Sequence, residues 1–153
     1  PFSRLEKREG RLCRVFSFAK DSSIGFIINS SGLPSDAAGD LVFAADEELA
    51  FVPFTSIGRY PKLFQRFRSD DFVAVEIRRN LSVNSETLSH LTHMKKLRRL
   101  VLESTDVRND LCETLNQLPA LDDLTISGSR VEPEALAKWR GVAKLKHLRY
   151  SAS

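Results

Sequence analysis

The sequence predicts an α/β solenoid, in which short parallel strands line one side of a single domain and helices cover the other. Two observations lead to this prediction: apolar residues recur at fixed positions of a block about 24 residues long, and each strand-like stretch is followed by apolar residues at helical spacing. The chain has 153 residues, 42% of them hydrophobic and 28% charged, which is the size and mixture of one globular domain with a core.

The repeat is clearest in the second half of the chain. Large apolar residues stand at offsets 0, 3 and 5 of four successive blocks: Phe72, Val75, Ile77; Leu97, Leu100, Leu102; Leu121, Leu124, Ile126; Leu145, Leu148, Tyr150. Offset 8 carries Asn80, Thr105 and Ser129. On a strand, offsets 3 and 5 point to the same face, and a small polar side chain at offset 8 can satisfy backbone groups where the chain turns.

This pattern resembles that of the leucine-rich repeat family, L-x-x-L-x-L-x-x-N/C-x-L, over about half of the chain. It is similar in length to the short bacterial and ribonuclease-inhibitor-like repeats. The resemblance implies concave parallel strands, convex helices and a protein-binding role. The expected helices carry Leu88, Leu91, Met94; Leu111, Leu115, Leu118; and Leu136, Trp139, Val142, with starts expected at Asn109 and Pro133.

The first half of the chain fits the same offsets less regularly. Further blocks would begin at Leu49 (with Val52 and Phe54) and at Ile24 (with Ile27 and Asn29), although Pro53 would interrupt a strand ladder. Residues 35–44 and 60–67 are expected as convex helices. The predicted organisation of residues 1–153 is thus one domain, with an N-terminal cap over 1–23, irregular repeats over 24–71 and regular repeats over 72–153.

Outward-facing strand positions are the candidate partner-binding residues, because the core does not use them. In the regular half they form a concave strip that includes Glu76, Arg78, Arg99, Glu103, Asp123, Thr125, His147 and Arg149. Arg78 is expected beside Glu103, and Arg99 beside Asp123. Two interpretations remain open: a ladder of ion pairs that neutralise one another, or a polar strip that binds a protein.

An apolar patch is expected on the irregular half, at Phe26, Ile28 and Phe51. An exposed apolar patch is typical of a contact site. The alternatives are a wrong register in this part of the chain, or a cap that folds over these residues. A separate contact is predicted at residues 145–151, whose open parallel edge would allow a homodimer or docking of another chain.

No residue set predicts catalysis, a metal or a cofactor. His90 and His93 lack a nearby third ligand, and Cys13 and Cys112 fit no metal or redox spacing. The net charge of +3 comes from 23 basic residues interleaved with 20 acidic ones, which does not imply nucleic acid, and no apolar stretch is long enough for a membrane helix. Phosphate or acidic-partner contact at Lys95–Arg99 is the minor alternative to a solvated loop.

The predicted function is therefore a non-catalytic protein-protein interaction module, soluble and with a cytoplasmic location favoured. The alternative is a non-catalytic regulatory or adaptor subunit of a larger enzyme or ligase complex. No sequence feature identifies the partner.

Overall fold

The computed structural model describes residues 1–152, which form two β-sheets joined by one hydrophobic core. The smaller sheet is antiparallel and has the order β1-β2-β5, with bounds Ser3–Arg8, Arg11–Ser17 and Asp40–Ala44. The larger sheet has seven strands in the order β10-β9-β8-β7-β6-β3-β4. In chain order, its strands are β3 Gly25–Ile28, β4 Pro34–Asp36, β6 Ala50–Pro53, β7 Ala74–Asn80, β8 Arg99–Thr105, β9 Asp123–Ser129 and β10 His147–Ala152.

The helices are short connections on the core side of the larger sheet. The α-helices are α1 Ser85–Ser89, α2 Leu111–Leu115 and α3 Pro133–Lys138, and three 3-10 helices span Thr55–Gly58, Pro61–Arg66 and Arg140–Lys144. Helix α1 begins with a capping box, in which the Asn84 side chain accepts from the Thr87 amide at 3.0 Å and the Thr87 hydroxyl accepts from the Asn84 amide at 3.2 Å.

Strands β6 to β10 are parallel, and equivalent blocks of the repeat lie side by side in them. Val75 is paired with Leu100, Leu100 with Leu124, and Leu124 with Leu148. The first three of these residues are fully buried, so this part of the sheet turns its repeated apolar positions toward the core.

The predicted leucine-rich repeat solenoid is wrong for this chain. The seven-stranded sheet is mixed, because β3 pairs antiparallel with both β4 and β6, and a separate antiparallel sheet accompanies it. The three α-helices have only five or six residues each, which is too short for a layer of convex helices. The physical reason lies in the Asn29 turn: its side chain accepts from the amides of Ser31 and Leu33 at 3.0 and 2.9 Å, and this tight turn reverses the chain into a hairpin.

The other expectations for the first half also fail in detail. Residues 35–44 contain the end of β4, a bend and β5 rather than a helix, and the exposure of β5 alternates along its length as on a half-buried strand. Residues 60–67 contain a 3-10 helix instead of an α-helix. The block expected at Ile24 fails because β3 runs antiparallel, which requires Gly25: a Cβ atom there would collide with the Val52 carbonyl oxygen.

Within residues 1–23, the region expected as the N-terminal cap, strands β1 and β2 form a hairpin. Its turn is at Glu9 and Gly10, both with positive φ (51° and 78°). The hairpin contributes aromatic side chains to the common core. Phe16 of β2 stacks on Phe72 at a centroid distance of 5.7 Å, and Phe72 stacks on Phe51 of β6 at 5.2 Å. Phe72 therefore joins the two sheets.

The parallel strands end in a common left-handed turn. Arg79, Ser104 and Gly128 occupy equivalent positions of β7, β8 and β9 and have φ values of 52°, 53° and 61°. The turn sends the next residues inward, so Asn80, Thr105 and Ser129 are buried. Asn80 donates to the Thr55 carbonyl at 3.0 Å, and the Ser129 hydroxyl accepts from the Val131 amide at 3.3 Å. Among residues 1–152, the Thr105 hydroxyl has no hydrogen-bond partner.

Candidate protein-binding face

The face of the seven-stranded sheet opposite the core is the candidate binding surface, here called the outer face. Strand pairing places its side chains in rows. One row runs through Ile28, Ala50, Ala74, Arg99, Asp123 and His147, and a second contains Glu76, Val101, Thr125 and Arg149. The outer face is thus apolar over β3 and β6 and polar over β7 to β10.

The apolar part of this face consists of Phe26, Ile28, Val52 and Phe54, here called the outer apolar patch. Phe26 is paired with Val52, whereas its neighbour Ile27 is fully buried on the opposite face. The rings of Phe26 and Phe54 meet edge to face with centroids 5.1 Å apart. Phe54 is 37% exposed and the other three are half-buried, so these side chains form a packed but accessible surface.

One predicted member of the patch is misplaced. Phe51 is fully buried and stacks on Phe72 in the core, so it cannot contact a partner. Val52 and Phe54 take its place, because β6 is shifted by one residue from the predicted register and a one-residue shift exchanges the two faces of a strand. The antiparallel pairing of β3 with β6, which sets Ile27 opposite Phe51 and Phe26 opposite Val52, identifies the outward-facing residues of β6.

The polar part contains the predicted concave strip, and its charges are mostly paired. Arg78 contacts Glu103 at 2.5 Å and Glu76 at 2.8 Å, and Arg99 reaches Glu76 at 3.3 Å. The expected Arg78–Glu103 pair is present. Arg99 lies beside Asp123 in the ladder, as expected, but its ion pair is with Glu76.

The ion pairs with Glu76 and Glu103 stabilise the charged form of Arg78. Partial burial alone would lower the Arg78 pKa, but hydrogen bonds from its guanidinium to Glu76 and Glu103 raise it overall. Because both arginines are about half exposed, the ion pairs contribute little to the folding free energy. Their main effect is to orient the arginine side chains.

The strip differs at its far end, on β9 and β10. Among residues 1–152, Asp123, His147 and Arg149 form no ion pair, and they line the same open groove as the paired arginines. The groove has a volume of about 380 Å³. The structure therefore brings all eight predicted strip residues to one surface, with neutralised charge near β7 and free charge near β10.

Strand β10 forms one edge of the larger sheet in the described part of the chain. Leu148 on its core face is 41% exposed, whereas Leu124 in the equivalent position of β9 is fully buried. The expected homodimer contact at residues 145–151 has the exposed backbone edge that it requires, and it stays a prediction.

His90 and His93 are each hydrogen-bonded to a different group. His90 is hydrogen-bonded to Gln65 at 2.9 Å and His93 to the Phe67 carbonyl at 2.9 Å. Within residues 1–152, no group of three or more His, Cys, Asp and Glu side chains is arranged to hold a metal ion. Partial burial raises the Cys112 thiol pKa, which disfavours the nucleophilic thiolate. No helix in the described residues has the length and apolar character to cross a membrane.

No family model matches the chain, and no curated protein matches it. The resemblance to leucine-rich repeats therefore rests on the sequence pattern alone. A solved structure described as "Leiomodin-1 Actin-Binding Site 2 (ABS2)" is similar with a TM-score of 0.47 and 13% identity, over 62% of this chain and 61% of that chain.

Proposed function

We propose that this protein is a non-catalytic protein-interaction module that binds its partner on the outer face of the seven-stranded sheet. The proposal combines the outer apolar patch with the neighbouring charged strip. An interface of this kind has an apolar centre, which supplies most of the binding energy, and a polar rim, which sets orientation and specificity.

The observation that carries the proposal is the edge-to-face pair of Phe26 and Phe54. Both rings lie on the side of the sheet that the core does not use, and Phe54 is 37% exposed. Aromatic side chains that are already packed against each other lose little conformational entropy on binding, so they are favourable anchors.

The charged strip supports the same surface. Arg78 and Arg99 are held by Glu76 and Glu103 before any partner arrives, and Val101 between them is 7% exposed. A partner that reaches Phe54 also meets a preordered polar surface on β7 and β8. The free charges at Asp123 and Arg149 remain available for pairing with it.

The experiment is affinity capture from native lysate with matched variants. Phe26→Asp/Phe54→Asp places two charges in the outer apolar patch, and Leu81→Asp/Leu33→Asp places two at exposed leucines outside it. We expect a discrete set of proteins to be captured by the wild type and by the leucine control but lost with the phenylalanine variant. Circular dichroism and thermal unfolding check that all three proteins are folded. Equal capture by the wild type and a folded phenylalanine variant would reject the outer face as the binding site.

A further inference from the structure

A second surface lies on the opposite side of the larger sheet, in a groove between the 3-10 helix Pro61–Arg66 and helix α1. The groove has a volume of about 680 Å³, and it is lined by residues that include Arg59, Tyr60, Lys62, Leu63, Arg66 and His90. Phe64 of the same 3-10 helix packs edge to face on Phe51 at 6.3 Å, on the core side of β6. The groove is therefore separated from the outer face by the core and the sheet.

The groove combines an exposed aromatic ring with an apolar floor. Tyr60 is 61% exposed, and Leu63 packs against the hydrophobic core. The hydrogen bond of 2.9 Å between Gln65 and His90 ties the 3-10 helix to the end of α1. The two walls are thus linked across the chain, so the groove is formed before a ligand arrives.

Three cations surround this groove without carboxylate partners. Among residues 1–152, Arg59, Lys62 and Arg66 form no ion pair, in contrast to Arg78 and Arg99 on the outer face. All three cations line the same groove.

The charged side chains that line the groove make its surface positive overall. The guanidinium of Arg66 lies 4.0 Å from the centroid of the Phe2 ring, which orients this cation. Glu86 is the one acidic residue that lines the groove, so the three cations outnumber it. The local charge is positive, and the neighbouring surface is apolar and aromatic.

We infer that this groove binds an acidic peptide segment of a partner protein, with a large apolar side chain of the peptide against Tyr60 and Leu63. Unneutralised cations select carboxylates by charge complementarity, and the exposed ring supplies apolar contact area. This site is separate from the outer face, and either surface can bind without the other.

The test uses a synthetic fluorescent peptide of glutamate and aspartate with one central phenylalanine. Fluorescence anisotropy should show saturable binding to the full chain, weakened when salt is raised from about 0.05 M to about 0.5 M. The same peptide with lysine in place of its acidic residues should not bind. Replacing its phenylalanine by serine should weaken binding by about tenfold, since the apolar contact is lost.

Protein variants localise the binding. Arg59→Glu/Lys62→Glu should weaken it by more than about tenfold, and Tyr60→Ala by several-fold. The matched control is Lys7→Glu/Arg11→Glu, which makes the same charge change on the β1–β2 hairpin and should leave the affinity unchanged. Both residues are exposed and form no ion pair with any residue from 1 to 152. Thermal unfolding shows that the variants are folded.

Three outcomes would overturn the inference. They are absence of saturable binding up to about 1 mM peptide, equal weakening by the hairpin control, and tighter binding to vesicles containing anionic phospholipid than to the peptide. None of these outcomes bears on the outer face, which the capture experiment with the phenylalanine variant tests separately.

Discussion

Arg14 of β2 forms a buried ion pair with Asp71, which lies just before β7, at a distance of 2.7 Å between Nη1 and Oδ1. Asp71 also accepts from the Ser3 hydroxyl at 2.8 and 2.7 Å and from the Arg68 amide at 2.8 Å. Arg14 is 4% exposed and Asp71 is 2% exposed. These contacts join the three-stranded sheet to the segment that precedes β7 in the larger sheet.

Removing one partner of this buried pair should be strongly destabilising. Asp71→Ala leaves the Arg14 charge without its closest partner, and we expect the free energy of unfolding to fall by about 3 kcal/mol or more. Urea unfolding followed by circular dichroism measures the change. Glu6→Ala is the control, because Glu6 pairs with Arg4 and Arg8 at the surface, and it should lower the free energy of unfolding far less than Asp71→Ala. Similar losses in the two variants would contradict the structural role of the pair.

Acid should weaken the same junction through Asp70. Partial burial by itself would raise the Asp70 pKa, but the hydrogen bond and charge of Arg14 outweigh it and lower the pKa below its ordinary value of 3.8. A carboxyl whose pKa is lower in the folded state contributes stability above its unfolded pKa and loses it as pH falls through the folded pKa. We expect the unfolding free energy to decline below about pH 4, and Asp70→Asn to reduce that decline. An unchanged acid dependence in Asp70→Asn would refute this assignment.

Because the strands end in left-handed turns, introducing glycine there and removing it should have opposite effects on stability. Ser104 has a positive φ that costs a residue with a side chain about 1 kcal/mol, so Ser104→Gly should be neutral or stabilising by up to that amount. Gly128→Ala should be destabilising, because its Cβ would also lie 3.1 Å from the Ser104 hydroxyl. Thermal unfolding compares the two variants. Destabilisation by Ser104→Gly, as in the exposed interior of a strand, would contradict the turn geometry.

Because the Thr105 hydroxyl has no hydrogen-bond partner within residues 1–152, we expect that it can be removed from the core without lowering the free energy of unfolding. Thr105 is 2% exposed and its Oγ1 makes no hydrogen bond, so Thr105→Val should leave the unfolding free energy unchanged or raise it by about 1 kcal/mol. The matched change is Asn80→Leu, which removes the hydrogen bonds to Thr55 and Ser82 and should cost more than about 1 kcal/mol. The prediction fails if Thr105→Val is the more destabilising of the two in urea unfolding.

The part of the fold that is predictable from sequence depends on local regularity. From β7 to β10, equivalent residues such as Leu100 and Leu124 lie side by side because each strand pairs with the next block of nearly equal length. In the first half, apolar residues follow one another without alternation, as in Phe26, Ile27 and Ile28, so the sequence does not mark which face is buried. The tight turn at Asn29 then determines that β3 pairs antiparallel with β4.

The candidate sites divide in the same way. The charged strip follows from strand alternation, including the contact between Arg78 and Glu103. The outer apolar patch is predictable only with the observed register of β6, because that register places Val52 and Phe54 on the outer face instead of Phe51. The groove at Tyr60 depends on contacts between segments distant in sequence, such as the hydrogen bond between Gln65 and His90, and the sequence does not predict it.

Site-specific photocrosslinking tests the central claim, binding at the outer face, most directly. A photoreactive amino acid is placed at Val52 in the outer apolar patch or at Leu81, which is 75% exposed outside it. After irradiation in native lysate, we expect a discrete protein adduct from position 52, suppressed by excess wild-type protein but not by the folded Phe26→Asp/Phe54→Asp variant. No adduct from position 52, or the same adduct with equal yield from position 81, would contradict it.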